Sequence, residues 1–580
     1  MPHICRVAPD LTAVERAFDY VVPDALEPFV RVGAIVRVPL HGRRVRGWVV
    51  ADRVTTETDE RLLELLAVAS NGPPAEVVAL TEWIAWRWRG PRIAVLRAAS
   101  APNRVAPTTT PEPTTTGEPA SLGSVLRATA TPVRGSVVVR RPPLADRREL
   151  VASMCAESGS TIVAVADGSR GRSLAQYLRR AGREVAFLHS DDSDAARTAA
   201  WARAARGSCV VVGGRTAALA PVPDLGAAVV VDDADEALQE ERSPTWHARD
   251  VLSERAARAG ASFAVVSPAP TVEAIASAGA KLDVLPADVE ARGWPRTRVV
   301  DRREEPPGAG LLTEAFTEAV RDAKGPVVCV LNRRGRLRVL ACDACHTLLR
   351  WDRSADRPLV CDECGATRLR VLRAGVTRVR EELAALFPRL TVVDVDAATE
   401  EVGEGDIIIG TEAVLHRPEL RRRRPDVVAL LDFDQELLAP RFRAVSQAFW
   451  LATRGAQLLA GRPRGETRLV VQTRQPEHEV VRALVRGNPA IVADAELERR
   501  RALGFPPFGA LAELTGADDA IGPVADALRA FIGIQILGPT DGRALVIAPA
   551  ADLLADALAA AQSARHPNGR VRFAVDPPRV

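Results

Sequence analysis

Lysine is nearly absent from this chain. Of 77 basic residues only Lys281 and Lys324 are lysines, and the rest are arginines. Lys281 stands in Gly-Ala-Lys-Leu and Lys324 in Ala-Lys-Gly-Pro, so neither sits in a Gly-Lys-Ser/Thr phosphate loop. An excess of either charge is missing too. Against 74 acidic residues the formal net charge is +3, which excludes a polybasic protein but leaves room for local basic faces. Arginine and alanine in such excess mark a GC-rich coding bias, so a single arginine carries little functional weight. No apolar run is long enough to cross a bilayer, and the N-terminus lacks a charged region followed by an apolar one. The expectation is a cytoplasmic protein with no membrane partner. A disulfide framework is also excluded. Cys5 and Cys155 are scattered, while Cys209 and Cys329 lie in apolar, strand-like runs and read as small buried hydrophobes.

The other four cysteines form two close pairs, Cys342-Asp-Ala-Cys345 and Cys361-Asp-Glu-Cys364, separated by fifteen residues. Two C-x2-C turns at this spacing present four thiolates to one tetrahedral Zn²⁺. Gly365 follows the second pair, where such a turn often needs a positive φ. Four thiolates leave no position for a reactive water, so the expected site holds one structural zinc per chain.

The 580 residues are enough for roughly three to five domains, with 47% hydrophobic and 26% charged residues, as in ordinary globular proteins. Residues 1–55 read as short strands around Ala34–Leu40 and Arg46–Ala51, with a turn at His41-Gly42. Residues from about 60 to 100 read as helical and carry Trp83, Trp86 and Trp88 interleaved with Arg87 and Arg89. A Pro/Thr-rich stretch follows and reads as a linker. Apolar strands such as Thr161–Ala166, Cys209–Val212 and Ala227–Val231 then alternate with amphipathic helices. A second run of this kind includes Pro326–Leu331, Asp406–Gly410, Asp426–Leu431 and Arg468–Gln472. Parallel sheets with helical crossovers are expected in both. The tail from about 508 reads as a small α+β domain.

Several ordered segments resemble the PriA-type primosomal replication restart family. They are Phe18-Asp19-Tyr20 and Gly33–Pro39, then Gly214-Arg215-Thr216-Ala217, Val230-Val231-Asp232-Asp233 and Trp246-His247-Ala248-Arg249-Asp250. Further along come Leu331-Asn332-Arg333-Arg334-Gly335, Ile409-Gly410-Thr411, Leu430–Asp434, Gln472-Thr473, Pro476-Glu477-His478 and Arg499–Phe508. The resemblance implies an α/β multidomain protein. It would have two RecA-like helicase lobes with a zinc-binding insertion, an N-terminal β-barrel and winged-helix-like DNA-binding domains, and a small C-terminal α+β domain. The implied division is a DNA 3′-end-binding domain at 1–55, a winged-helix-like segment at 56–105 and a linker at 106–128. Lobe 1 would span 129–290, lobe 2 291–480 with the zinc insertion at 341–372, and the C-terminal domain 481–580. Phe18, Asp19 and Gly42 would contact the DNA end.

The departures from the family concern phosphate chemistry. A phosphate loop needs converging backbone amides and a lysine on the β/γ oxygens. At its expected place the chain reads Val138–Leu144 with two prolines, followed by Asp146 and Arg147. The Walker B segment, Asp-Glu-Glu-His in the family, is Asp232-Asp233-Ala234-Asp235 here. The Gly-Ser-Ala-Thr-Pro motif is replaced by Val266–Pro270, and Gln457–Arg462 keeps only the second of two Gly-Arg steps. No lysine stands after the N-terminal strands, where the family's 3′-end pocket uses one. Family members carry two cysteine sets for two zincs, and only the outer pairs are present here.

The resemblance therefore implies a replication restart protein that has lost its motor. It would bind stalled or branched fork DNA and start primosome assembly without ATP as a cofactor. Its partners would be restart primosome proteins, single-stranded DNA-binding protein and the machinery that loads the replicative helicase, on nucleoid-associated DNA. Two rivals stand beside it: a DNA-stimulated 3′–5′ helicase with a non-standard nucleotide site, and a zinc-containing protein-interaction module without DNA binding. Arg421–Arg424 reads as a loop that is either solvated or set against DNA. The three tryptophans at helical spacing read first as core, and His247 and Arg249 as structural.

Overall fold

The computed structural model describes residues 2–12, 14, 16–56, 62–109, 135–277, 281–306, 310–332, 338–342, 345, 347–351, 361, 363–366, 369–373, 376–396, 398–562 and 569–580. The chain forms two compact units. One holds residues 1–139, 147–283 and 498–580, and the other holds 140–146 and 284–497.

The first unit begins with a five-stranded antiparallel sheet in the order β2-β1-β4-β3-β5. Its strands are β1 (Ile4–Pro9), β2 (Phe18–Val21), β3 (Ile35–Leu40), β4 (Arg43–Ala51) and β5 (Ala67–Ser70). Strand alternation sends Cys5, Val7, Tyr20, Val36, Val38 and Val49 into one apolar cluster. The run ahead of β5 also bonds the far edge: Val21 N donates to Leu63 O, and Leu65 N donates to Val21 O, both at 3.0 Å. Gly33 is required where it stands, because its φ is +89° and a Cβ would fall 1.7 Å from Pro73 O.

The helical reading of 60–100 needs correction at its start, since 67–70 is a strand of this sheet. Helices occupy Ala75–Arg87 and Arg92–Ala99. Val78, Ile93 and Leu96 of the two helices cover Ile35 and Trp48 on the outer face of the sheet. Trp83 and Trp88 are buried edge to face with ring centroids 5.3 Å apart, so two of the three tryptophans are core. Within the expected linker, 106–109 lies against the sheet: Ala106 O and Thr108 Oγ1 accept from Asn71 and Arg31. The linker from 110 lies outside the described residues.

Lobe 1 is a seven-stranded sheet in the order β12-β6-β11-β10-β7-β9-β8. Its strands are β6 (Val137–Arg140), β7 (Ser160–Val165), β8 (Val185–Leu188), β9 (Val210–Gly213), β10 (Leu225–Val231), β11 (Ser262–Ser267) and β12 (Lys281–Asp283). The registers β10–β11, β10–β7, β7–β9, β8–β9 and β12–β6 are parallel. Continuous Val/Ala/Ile runs suit such strands, which are buried on both faces.

The C-terminal sheet, in the order β23-β24-β22-β25, belongs to this first unit. Its strands are β22 (Ala510–Thr515), β23 (Gln535–Thr540), β24 (Arg543–Ala548) and β25 (Arg572–Val575). It docks on the lobe through Thr245 Oγ1 to Val575 O at 2.6 Å and Gln239 Nε2 to Asp576 O at 2.7 Å. Trp86 Nε1 donates to Asp556 at 2.8 Å, and Arg87 pairs with Asp576 at 3.1 Å, which accounts for Trp86 and Arg87 of the aromatic–arginine cluster. Arg500 is buried and donates to Glu273 and to Pro506 O.

In the second unit, lobe 2 is a six-stranded sheet in the order β13-β21-β20-β14-β19-β18. It is built from β13 (Arg296–Asp301), β14 (Val327–Val330), β18 (Val392–Val395), β19 (Ile407–Gly410), β20 (Val427–Leu430) and β21 (Arg468–Thr473), with every neighbouring pair parallel. Between β14 and β18 the chain leaves the lobe and makes a separate antiparallel ribbon, β16-β15-β17. Its strands are β15 (Arg338–Cys342), β16 (Leu348–Trp351) and β17 (Leu369–Arg373). The four-arginine run is not a loop: Pro418–Arg423 is a helix and Arg424 follows with φ +53°. Arg423 donates to the carbonyls of Val402 and Gly403, so part of the run ties the lobe together.

Candidate functional site

Three places in the structure carry the residues singled out by sequence. The first is the end of β10 in lobe 1, where a nucleotide-driven protein would hold metal and phosphate. Asp232 terminates that strand in a left-handed conformation with φ +60° and is 4% exposed. Two guanidiniums occupy its carboxylate. Arg147 donates through both Nη atoms, at 2.5 and 3.1 Å, and Arg170 donates through Nη1 at 2.8 Å. Arg147 precedes the helix Arg148–Ser153, and Arg170 lies in the first turn of the helix Gly168–Arg180, which Asp167 caps by accepting from Arg170 N. A carboxylate with two cations on it has little negative charge left for Mg²⁺. The two arginines reach the carboxylate from the elements that follow β6 and β7.

The second Walker-type acid, Asp233, is fully buried. Its carboxylate accepts from Thr271 Oγ1 at 2.5 Å and Thr271 N at 3.2 Å, with Arg249 Nη1 3.7 Å away. Burial pushes its pKa up to about 6, against the pull of Arg249 and Thr271. Arg249 is itself bidentate on Asp250 and bonded to Thr271, and His247 caps its own helix by accepting from Arg249 N. These motif residues are knitted to one another. The stretch 140–146 groups with the second unit. There Arg140 makes a buried two-bond pair with Glu290 at 2.7 and 2.8 Å, and Leu144 N donates to Gly293 O. Pro142 and Pro143 have no backbone N–H to donate.

Lobe 2 treats its motif residues alike. Asn332 accepts from Glu412 N at 2.6 Å and donates to Glu436 at 3.0 Å. Gln472 donates to Leu311 O and Leu431 O. Asp434 accepts from Thr473 Oγ1 and Arg474 N. Arg333, Arg334 and Gly335 of the matched run lie outside the described residues.

The second place is the ribbon. Sγ of Cys342, Cys345, Cys361 and Cys364 all lie within 4.8 Å of one another. The pairs Cys342–Cys364 and Cys345–Cys361 are each 3.5 Å apart. A tetrahedral zinc with bonds of about 2.3 Å needs sulfurs about 3.8 Å apart, so the donor set fits that ion. Cys342 ends β15, and its N donates to Thr347 O across one turn. Cys361 O accepts from Gly365 N, with Gly365 at φ +72°, across the other. The four expected ligands converge as a cluster that can hold a metal ion.

The third place is the N-terminal sheet. Phe18 and Asp19 are neighbours on β2 and so face opposite ways, Phe18 packing on the core cluster. Asp19 is bidentate with Arg6, its register partner on β1, at 2.7 and 3.1 Å. Arg16 lies 4.8 Å over the Phe18 ring. Gly42 sits in the β3–β4 turn with φ +73° and open space where a Cβ would be. Tyr20 OH donates to Pro39 O at 3.2 Å, which links β2 to the strand leading into that turn. Arg147, Arg170 and Arg6 were not read from sequence as site residues. An arginine is a poor signal in a chain with 77 basic residues of which only two are lysine.

Two parallel α/β lobes, a four-cysteine ribbon that branches from the second, and a separate N-terminal sheet define a multidomain α/β protein. Residues 6–101 match the family model described as the 3′ DNA-binding domain of PriA. The chain is 30% identical over 592 residues to the probable replication restart protein PriA of Mycobacterium leprae, covering 91% of this chain and 90% of that one. It is 29% identical to the probable replication restart protein PriA of Mycobacterium tuberculosis, covering 91% and 89%. Among solved structures, Saccharomyces cerevisiae Dbp5 bound to RNA and ADP BeF3 is similar at 10% identity, with a TM-score of 0.35, covering 66% of this chain and 92% of that one. The chain belongs to the PriA family of replication restart proteins.

Proposed function

We propose that this chain binds branched replication-fork DNA and starts primosome assembly as a scaffold, without hydrolysing ATP. The observation that carries the motorless reading is the Arg147–Asp232–Arg170 triad, which neutralises the acid at the position that matches the family's first Walker B aspartate. Two prolines in place of a phosphate loop, and no lysine near it, support the same reading. The N-terminal sheet, through Phe18, Asp19 and Gly42, supplies the contact to a DNA 3′ end. Cys342, Cys345, Cys361 and Cys364 hold one Zn²⁺, whose chemistry is to tie β15–β17 into a rigid ribbon. The ribbon and the C-terminal domain offer surfaces to restart primosome proteins, single-stranded DNA-binding protein and the helicase-loading machinery.

The test is ATP hydrolysis by the zinc-loaded protein with and without forked DNA, with fork binding measured in the same samples. Binding that favours forks over plain duplex, without hydrolysis, is expected. DNA-stimulated hydrolysis would return the protein to the helicases, and equal affinity for forked and plain duplex would remove the restart role. Salt must be held fixed, since phosphate contacts make affinity steeply salt-dependent.

A further inference from the structure

The β3–β4 register sets Ile35 opposite Trp48, Arg37 opposite Arg46 and Pro39 opposite Arg44. These six side chains share the outer face of the N-terminal sheet. Half of that face is covered, because Ile35 and Trp48 are buried under Val78, Ile93 and Leu96. Beyond the helices the same face continues as Arg46, Arg37 and Arg44. Arg97, on the helix Arg92–Ala99, joins them from the side. Burial lowers the pKa of Arg46, with Arg37 and Arg97 pushing the same way and Asp10 alone opposing them. That one carboxylate is committed to Arg97 at 2.6 Å. Four guanidiniums therefore meet a single acid.

Like charges directly opposite each other on neighbouring strands cost stability. Arg46 lowers its share by lying 4.9 Å over the Trp48 ring. The side chains of Arg37 and Arg44 are exposed and make no ion pair or hydrogen bond among the described residues. A cost of this kind is relieved when a polyanion lies along the strip.

We infer that Arg37, Arg44 and Arg46 form a backbone-contact strip for a duplex arm of DNA, on a different face of the sheet from core-facing Phe18. The inference rests on the fork-binding reading. Arg44 and Arg46 alternate along β4 at about 6.7 Å spacing, as residues two apart on a strand do, which suits repeated phosphates. Exposed guanidiniums with no fixed partner suit sequence-independent phosphate contact.

The experiment compares the zinc-loaded full chain with its Arg37→Gln/Arg44→Gln variant. Anisotropy is read on a blunt duplex, on a fork and on labelled polyglutamate across about 50 to 200 mM salt. Arg46 is left intact to keep its stack on Trp48. Each lost phosphate contact flattens the log–log salt slope by about 0.9, so the variant loses about 1.8 and binds roughly 10- to 30-fold more weakly near 0.15 M salt. Arg37→Lys/Arg44→Lys keeps the slope, because charge is the requirement. An unchanged slope in a glutamine variant that melts like wild type overturns the strip while fork binding stands. A wild type that binds no DNA overturns both. Loss of polyglutamate binding with an unchanged duplex slope would assign the strip to an acidic protein instead.

Discussion

Arg147 grips Asp232 with both Nη atoms, at the strand end where a related motor would coordinate its metal. Arg170 is the third member of the cluster, donating to the same carboxylate at 2.8 Å. Asp232→Ala should take the bidentate partner from the largely buried Arg147 and the nearest carboxylate from Arg170, and destabilise the protein by about 3–5 kcal/mol. Arg147→Gln should cost less, because Arg170 stays on the carboxylate. Urea denaturation of the three proteins checks the order, and equal midpoints would show that the triad is not structural.

Mg²⁺-ATP should leave the melting temperature of the wild type unchanged, since a ligand stabilises only the state it binds. Arg147→Lys supplies the missing ammonium but no amide cradle, and it should not restore hydrolysis. A rise in melting temperature with Mg²⁺-ATP would mean a nucleotide site elsewhere.

Asp233 predicts a pH dependence. Its pKa rises on folding from the ordinary carboxylate range to about 6, chiefly because burial disfavours the charge. The native state holds this proton more tightly than the unfolded state does. Stability is therefore lost as pH rises from about 4 to about 6 and stays reduced above that, by on the order of 2–3 kcal/mol. Asp233→Asn keeps the acceptor for Thr271 and removes the ionisation. The stability difference between variant and wild type should grow in the variant's favour across that window and then level off. A difference independent of pH would sink the assignment.

One equivalent of zinc should be found per chain on a fully metallated preparation. Chelation, or Cys364→Ser, should unfold the ribbon β15–β17 locally, because its four ligands close two turns of an otherwise small sheet. Hydrogen exchange should show lost protection confined to about 338–373, with the cores of both lobes still protected. Two equivalents, or none, would contradict the four-thiolate site.

Asp19 is held by Arg6 in the free protein. Asp19→Asn should lower the preference for a fork with an exposed 3′ hydroxyl over one with a blocked 3′ end, while leaving blunt-duplex affinity within about twofold, since duplex affinity comes mainly from phosphates. Matched losses on both DNAs would place Asp19 in the sheet's stability and not at the DNA end.

Much of the architecture was readable from residue order. Runs such as Ala227–Val231 and Ile407–Gly410 are short, rich in β-branched residues and apolar at every position, as strands buried on both faces are. The cysteine pairs were readable for a local reason, because ligand geometry is set by a short turn. Strand β5 was missed because four residues, Ala67-Val-Ala-Ser70, carry too weak a pattern to separate from the helix that follows, and pairing with β3 decides the matter.

Sequence alone determined that no lysine of this chain stands in a Gly-Lys-Ser/Thr run, that four thiolates can share one metal, and that its segments follow the order of a restart protein. Each of these depends on residue identity and short spacing. Only the tertiary structure decided that Arg147 and Arg170, 85 and 62 residues from Asp232, close on its carboxylate. It also decided that Arg37 and Arg46 face each other on one side of a sheet. Which of many arginines meets which acid depends on strand order and register, and long-range packing sets both.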